Sequence, residues 1–142
     1  MSLEKIITLK ELKVIPTDGG NVFHALKNSE KTINNFGEVY FSSINYNIIR
    51  AWKLHTKMTL NLIVPVGMVK FVFYFEKTNK FLEYIIGEEN YCRLTVPPNI
   101  WFGFQGLNKK LNLIMNISDI EHNQKEIKKK NIQDIQYFWE KK

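Results

Sequence analysis

Three side chains suited to proton transfer and anion binding lie close together in the chain: Arg50, Lys53 and His55. Histidine exchanges a proton near neutral pH, and arginine and lysine attract anions. From Lys53 to Asn61 polar and apolar residues alternate, with only Thr56 out of step, which predicts one strand. Because alternate side chains of a strand share a face, this segment could hold Lys53, His55 and Asn61 in one site.

The surrounding sequence predicts the frame that would position this site. Short segments rich in β-branched and aromatic residues follow one another, with a turn roughly every ten residues. The clearest pair is a hairpin of residues 68–76 with 81–86. About eight strands are available from Val22 onward, which favours an all-β, double-sheet jelly roll around a central pocket.

The pattern becomes helical only after Ser118. We therefore expect a C-terminal helix on the outside of the sheets. Four apolar residues could supply its contacts: Ile132, Ile135, Tyr137 and Trp139.

Length and composition are consistent with this picture. The chain has 142 residues, which predicts a single domain over 1–142, with a core at about 16–118 and a helical tail at about 119–142. No apolar run approaches the roughly 18 residues of a membrane span, and the N-terminal sequence lacks a signal peptide's apolar core. The single cysteine, Cys92, can form no internal disulfide. A cytoplasmic location is the resulting expectation.

The net charge of +6 suggests an anionic partner, either a nucleic acid or a phosphorylated small molecule. Much of the excess lies in the C-terminal lysines, which are typical of a solvated helix face. The sequence has no nucleic-acid-binding motif, so we expect no nucleic-acid partner. An RNA or membrane surface bound by the basic tail stays as an alternative.

Gly67 after the Val-Pro-Val of residues 64–66, and residues 96–104, resemble the two halves of a cupin. Two segments carry a narrower resemblance. Residues 50–55 read Arg-Ala-Trp-Lys-Leu-His, and residues 97–104 read Pro-Pro-Asn-Ile-Trp-Phe-Gly-Phe. Within the cupins they resemble the sugar-nucleotide branch, namely the dTDP-4-dehydrorhamnose 3,5-epimerases and the dTDP-4-keto-6-deoxyglucose ketoisomerases. Asp18-Gly19-Gly20 and residues 116–119 also resemble family positions. The resemblance implies the double-stranded β-helix of the cupins.

The chain departs from the family at two catalytic positions. Lys53 stands where the resemblance places a histidine base, and Ile120 falls about where the epimerases carry a tyrosine acid. Proton transfer next to a ketone needs a base whose pKa is near the working pH. Two candidates stay open, His55 and a Lys53 whose pKa is lowered in a dry, positive pocket.

The resemblance also suggests which residues bind substrate. Arg50 matches the family arginine, which implies a phosphate or substrate contact. Arg93 is a candidate second phosphate ligand, Tyr74 and Trp101 are candidates for stacking on a base or sugar, and Asn61 shares the face of Lys53 and His55.

We expect no metal and no other cofactor. Metal-binding cupins have histidines where this chain has Lys53 and Phe102, and a glutamate where it has Met58, Thr59 or Leu60. One remaining histidine cannot hold a transition metal.

The function implied by the resemblance is epimerisation or isomerisation of a nucleotide-linked 4-keto-6-deoxy sugar, in surface-polysaccharide or deoxysugar biosynthesis. The partner would be a nucleotide-diphosphate sugar, and the chain would be a homodimer. The alternative is a cupin that binds a sugar nucleotide without catalysis, or a partner subunit of a glycan-assembly enzyme.

Overall fold

The computed structural model describes residues 6–141, in which twelve β-strands and three 3₁₀ turns form. The strands are β1 (Thr8–Glu11), β2 (Val14–Thr17), β3 (Gly20–Phe23), β4 (Glu38–Ser43), β5 (Ile49–His55), β6 (Leu60–Val66), β7 (Met68–Phe75), β8 (Lys80–Gly87), β9 (Cys92–Val96), β10 (Trp101–Gly106), β11 (Leu113–Ser118) and β12 (Ile127–Lys129). The 3₁₀ turns are Asn28–Glu30, Gln124–Glu126 and Ile132–Asp134. None of the described residues lies in a helix long and apolar enough to cross a membrane.

The strands form two five-stranded antiparallel sheets and a separate hairpin. The first sheet has the order β1-β9-β6-β11-β4, the second has the order β12-β5-β10-β7-β8, and β2 pairs with β3. Apolar side chains from both sheets meet in one core, among them Leu62 and Leu94 of the first sheet and Phe71 and Phe73 of the second. The jelly roll predicted from the sequence is confirmed, and its first sheet begins before residue 16 because β1 forms one edge.

The alternation from Lys53 to Asn61 does not form one strand, so that prediction is wrong. Strand β5 ends at His55, and β6 begins at Leu60 in the opposite sheet. The interruption starts at Thr56, the residue that broke the alternation. Its backbone N–H donates to the carbonyl of Glu126 at 2.8 Å, outside the sheet ladder of its neighbours. The break places His55 and Asn61 on different sheets.

The prediction of a C-terminal helix is also wrong. The described part of the C-terminal segment, residues 119–141, contains two 3₁₀ turns and strand β12, and no α-helix. Strand β12 pairs antiparallel with β5, with Lys129 opposite Lys53 and Ile127 opposite His55. Without this segment β5 would be an edge strand with unpaired backbone groups, so pairing with it satisfies hydrogen bonds that a helix would leave open.

Packing of the C-terminal segment on the outside of the sheets is as expected. Ile135, Tyr137 and Trp139 contact an apolar cluster that includes Trp52 and Val72 of the second sheet. Ile132, by contrast, is 43% exposed. The segment therefore runs alongside β5 through β12 and is anchored on the outer face of the second sheet.

Candidate active site

A cavity of about 600 Å³ lies between the two sheets. This is the size of a small-molecule site. The first sheet and the second sheet supply opposite walls, and the C-terminal segment supplies one side of the mouth. Its lining consists of Tyr40, Ser42, Ile49, Arg50, Ala51, Trp52, Lys53, His55, Leu60, Leu62, Phe71, Phe102, Phe104, Ile114, Asn116, Lys129, Lys130, Asn131 and Asp134.

His55 lies on the wall of this cavity and is held by a buried carboxylate. Its Nδ1 is 2.5 Å from Oε2 of Glu126, which is only 3% exposed. The other oxygen of Glu126, Oε1, accepts the backbone N–H groups of Lys57 and Met58, each at 3.0 Å. The ring of His55 also stacks on Phe102. These contacts fix the imidazole, and within residues 6–141 no hydrogen bond is found at its Nε2.

The protonation of this pair suits a general base. Burial lowers the pKa of His55 below its usual 6.5, an effect that the nearby Lys53 adds to and the Glu126 contact opposes. Burial raises the pKa of Glu126, but the hydrogen bonds from His55, Met58 and Lys57 outweigh it and lower that pKa. At neutral pH the pair is thus a carboxylate and a neutral imidazole, with Nδ1–H donating to Glu126. The lone pair of Nε2 is then available to accept a proton.

Four cationic residues contribute to the cavity lining: Arg50, Lys53, Lys129 and Lys130. Burial lowers the pKa of Lys53, and the positive charges of Lys129 and Arg50 lower it further. Among the described residues of the lining, Asp134 carries the one carboxylate, and its Oδ2 accepts the backbone N–H of Asn131 at 2.8 Å. The cavity is therefore suited to an anionic ligand.

Tyr40 brings a hydroxyl to the wall opposite His55. It lies on β4 of the first sheet, whereas His55 lies on β5 of the second. The Nδ2 of Asn116 donates to the Tyr40 oxygen at 3.0 Å. A base and a hydroxyl on facing walls can serve the two sides of a substrate bound between them.

Of the predicted site residues, the structure brings Arg50, Lys53 and His55 together on this cavity. The other four do not line it. Asn61 is fully buried in the first sheet, where its Nδ2 donates to the carbonyl of Ile117. Asn61 lies there because β5 ends before Thr56 and the chain continues in the opposite sheet.

Arg93 is also buried and occupied elsewhere. Its Nη2 donates to Oε2 of Glu30 at 2.6 Å, and its Nη1 donates to the carbonyl of Ala25 at 2.5 Å. This guanidinium ties the loop after β3 to strand β9, away from the lining of the cavity.

The two aromatic candidates lie outside the cavity lining. Tyr74 donates its hydroxyl to Asn79, and the indole N–H of Trp101 donates to Glu76. The Lys130 ammonium lies over Trp101, 4.9 Å from the centre of a ring, so its charge faces that indole.

Sequence reasoning missed Glu126, Tyr40 and Lys129. The structure places Tyr40 on the inner face of β4, where the even-numbered side chains are less exposed. No signal in the sequence predicted this, because the apolar residues Val39 and Phe41 are the exposed ones. Glu126 carried a weak signal, as a single acid in a lysine-rich stretch. Its 71-residue separation from His55 hid the contact.

In the described residues no three His, Cys, Asp or Glu side chains are grouped so that they could hold a metal ion.

Comparison with known proteins places this chain in a family. The sequence matches no protein-family model and no curated protein. Among solved structures, it is similar to a dTDP sugar isomerase from Desulfovibrio desulfuricans G20, at 33% identity and a TM-score of 0.88. That match covers 94% of this chain and 90% of the other. The chain belongs to the cupin-fold family of sugar-nucleotide isomerases and epimerases.

Two more distant members of the same group share the fold of this sugar-nucleotide cupin. One is QdtA, a sugar 3,4-ketoisomerase from Thermoanaerobacterium thermosaccharolyticum in complex with TDP, at 14% identity and a TM-score of 0.76, covering 92% of this chain and 91% of the other. The other is a dTDP-4-dehydrorhamnose 3,5-epimerase from Sulfolobus tokodaii, at 19% identity and a TM-score of 0.81. That match covers 96% of this chain and 84% of the other.

Proposed function

We propose that this protein isomerises or epimerises a nucleotide-linked 4-keto-6-deoxy sugar by removing a proton next to the ketone, as a step in surface-polysaccharide or deoxysugar biosynthesis. The observation that carries the proposal is the contact of His55, on the cavity wall, with the buried carboxylate of Glu126 behind it at 2.5 Å. A neutral imidazole oriented by a carboxylate is a base of suitable strength for a carbon acid activated by a carbonyl. The family relationship supports the substrate class.

The proposed reaction uses three groups. Nε2 of His55 takes the proton from the carbon beside the ketone, and the electron pair moves onto the ketone oxygen to form an enolate. The Lys53 ammonium stabilises that oxygen electrostatically. In an epimerisation Tyr40, on the facing wall, protonates the same carbon from the opposite side, and solvent carries the His55 proton back to Tyr40. In an isomerisation Tyr40 protonates the ketone oxygen, His55 returns its proton to the former ketone carbon, and Tyr40 regains a proton from the neighbouring hydroxyl. Neither reaction consumes or releases protons overall.

The anionic part of the substrate is proposed to bind at the mouth of the cavity. Arg50 lies near the start of β5 and Lys129 near the end of β12, and both line the cavity. A guanidinium binds phosphate oxygens through paired hydrogen bonds, and an ammonium adds a point charge. Asn61, Tyr74, Arg93 and Trp101 have no part in this proposal, because they lie outside the lining.

A specific observation favours a second candidate, a cupin that binds a sugar nucleotide without turnover: Lys53 and Ile120 replace the residues that the family resemblance places there. Calorimetric titration with TDP, together with NMR of TDP-4-keto-6-deoxyglucose incubated with the protein, separates the two. Catalysis predicts a new keto-sugar that His55→Asn abolishes while TDP affinity stays within about twofold. Tight TDP binding with no product from this or related keto-sugars would favour the second candidate.

We also propose a homodimer. The β2–β3 hairpin pairs with neither large sheet, and its apolar side chains are exposed, including Ile15 at 42% and Phe23 at 52%. Exposed apolar groups on a hairpin are typical of a surface that contacts another chain.

A further inference from the structure

Asn116 is an amide at an apolar position of the fold. It lies on β11, is 1% exposed, and has Ile114 and Ile117 as buried apolar neighbours on its own strand. A buried amide is costly unless every hydrogen-bonding group is satisfied. A polar residue that breaks the apolar pattern of an interior strand is expected at functional or strained sites.

The contacts of Asn116 fix the direction of its amide. Oδ1 accepts the backbone N–H of Asn61 at 3.1 Å, and Nδ2 donates to the Tyr40 oxygen at 3.0 Å and contacts the sulfur of Met58 at 3.7 Å. The reversed orientation would set the amide NH₂ against the Asn61 N–H, which can only donate. The NH₂ group therefore faces Tyr40.

This orientation determines what the Tyr40 hydroxyl can do. An amide NH₂ has no acceptor, so the Tyr40 oxygen must accept from Asn116 and its own proton must point elsewhere. The protein groups described in residues 6–141 include no acceptor for that proton, and Tyr40 lines the cavity. The proton is therefore available to a molecule in the cavity.

We infer that Asn116 is a positioning residue that holds Tyr40 as a hydrogen-bond and proton donor toward the substrate. The inference rests on the proposed function and deepens it, because it specifies how the acid side of the site is made without a tyrosine at Ile120. Asn116 acts through Tyr40, and Asn61 contributes indirectly through the backbone N–H that fixes the amide.

A double-mutant cycle in deuterated water tests the inference, with TDP-4-keto-6-deoxyglucose as the probe. Asn116→Leu should lower product formation at least roughly tenfold, and Tyr40→Phe roughly 10²-fold or more. Deuterium should still enter the recovered substrate in both, because His55 is unchanged. In the Tyr40→Phe protein, Asn116→Leu should cause no further loss.

Thr95→Val is the matched control. Thr95 Oγ1 donates to Oδ1 of Asn61 at 2.8 Å, so this change weakens the same polar network without touching Tyr40. It should leave product formation within about twofold. The inference fails if Thr95→Val lowers product formation as much as Asn116→Leu does. It also fails if the losses from Asn116→Leu and Tyr40→Phe multiply in the double variant, because Asn116 then has only a structural role.

If Asn116→Leu does not fold, as judged by circular dichroism, Asn116→Asp takes its place in the cycle. This variant keeps the shape and the acceptor for Asn61, and its ionised second oxygen would draw the Tyr40 proton away from the cavity. Product formation equal to wild type at pH 8 would overturn the inference while leaving the proposed function intact. Absence of both deuterium and product in the wild-type protein would overturn both.

Discussion

At the scale of single residues, Glu126 determines what His55 can do. Its carboxylate accepts three donors, from the His55 ring and from the backbones of Lys57 and Met58. In a glutamine, Oε1 could still accept the Lys57 and Met58 N–H groups. Its NH₂ can only donate toward His55, which would force the ring proton onto Nε2 and remove the lone pair that faces the cavity. The interaction is therefore specific to a carboxylate.

Glu126→Gln should lower kcat by roughly 10²-fold or more, since the base is no longer oriented. If His55 is the base, the wild-type protein should lose activity as His55 becomes protonated, so the acid limb of its kcat/KM profile should lie below pH 6.5. Because the Glu126 carboxylate raises the pKa of His55, its removal should move that limb to still lower pH. Glu121→Gln, an exposed change in the same segment, is the control for a pH–rate series. An unmoved acid limb would show that Glu126 does not act on His55.

At the scale of elements, the C-terminal segment completes the site. It brings Glu126 to His55 and places Lys129 opposite Lys53. The backbone N–H groups of Lys130 and Trp52 each donate to the carbonyl of the other, both at 3.0 Å. Its anchor is the contact of Trp139 with Trp52, whose ring centres lie 5.5 Å apart. Losing that anchor should loosen β12 before it affects the sheets.

Trp139→Ala should therefore reduce the free energy of unfolding by about 2–3 kcal/mol, because it removes a large, half-buried ring. Amide hydrogen exchange at Lys130 should become roughly tenfold faster or more, while exchange in β7 stays unchanged. The adjacent Phe138 is 85% exposed, and Phe138→Ala should alter neither measurement. Equal effects of the two variants would mean that Trp139 is not the anchor.

Local patterns predicted the local elements well. The hairpin expected at residues 68–76 and 81–86 is β7 and β8, because alternation and an intervening turn determine that pairing between neighbours. The C-terminal segment was misjudged because its conformation depends on β5, more than 70 residues earlier. Separation along the sequence also explains which site residues could be predicted. Arg50, Lys53 and His55 share a strand and could be found, whereas Tyr40 and Glu126 meet them only after folding.

At the scale of the whole molecule, a buried ion pair joins the long loop before β4 to the first sheet. Glu30 accepts Arg93 at 2.6 Å and Lys10 at 2.7 Å, and Arg93 is 1% exposed. Hydrogen bonds from Arg93, and then from Lys10, lower the pKa of Glu30 from 4.5 to about 2. A pKa lowered by folding stabilises the protein above pH 4.5, and that contribution is lost as the pH falls toward 2.

Glu30→Gln should lower the free energy of unfolding at pH 7 by about 3–5 kcal/mol, since it leaves Arg93 buried without its counter-charge. The difference from wild type should shrink as the pH falls from 4.5 toward 2, because wild-type Glu30 then becomes neutral as well. Urea unfolding at pH 7, 4.5 and 3 measures both effects, with the exposed Glu89→Gln as control. A difference independent of pH would argue against the ion pair as its cause.

In the proposed reaction His55 removes a proton from the carbon beside the ketone of a nucleotide sugar. The most direct measurement is NMR of TDP-4-keto-6-deoxyglucose incubated with the protein in deuterated water. The proposed reaction predicts deuterium at the ring carbon adjacent to the ketone with the wild-type protein, and none above the enzyme-free rate with a folded His55→Asn variant. Equal incorporation by both proteins, or none by the wild type with this or related keto-sugars, would contradict it.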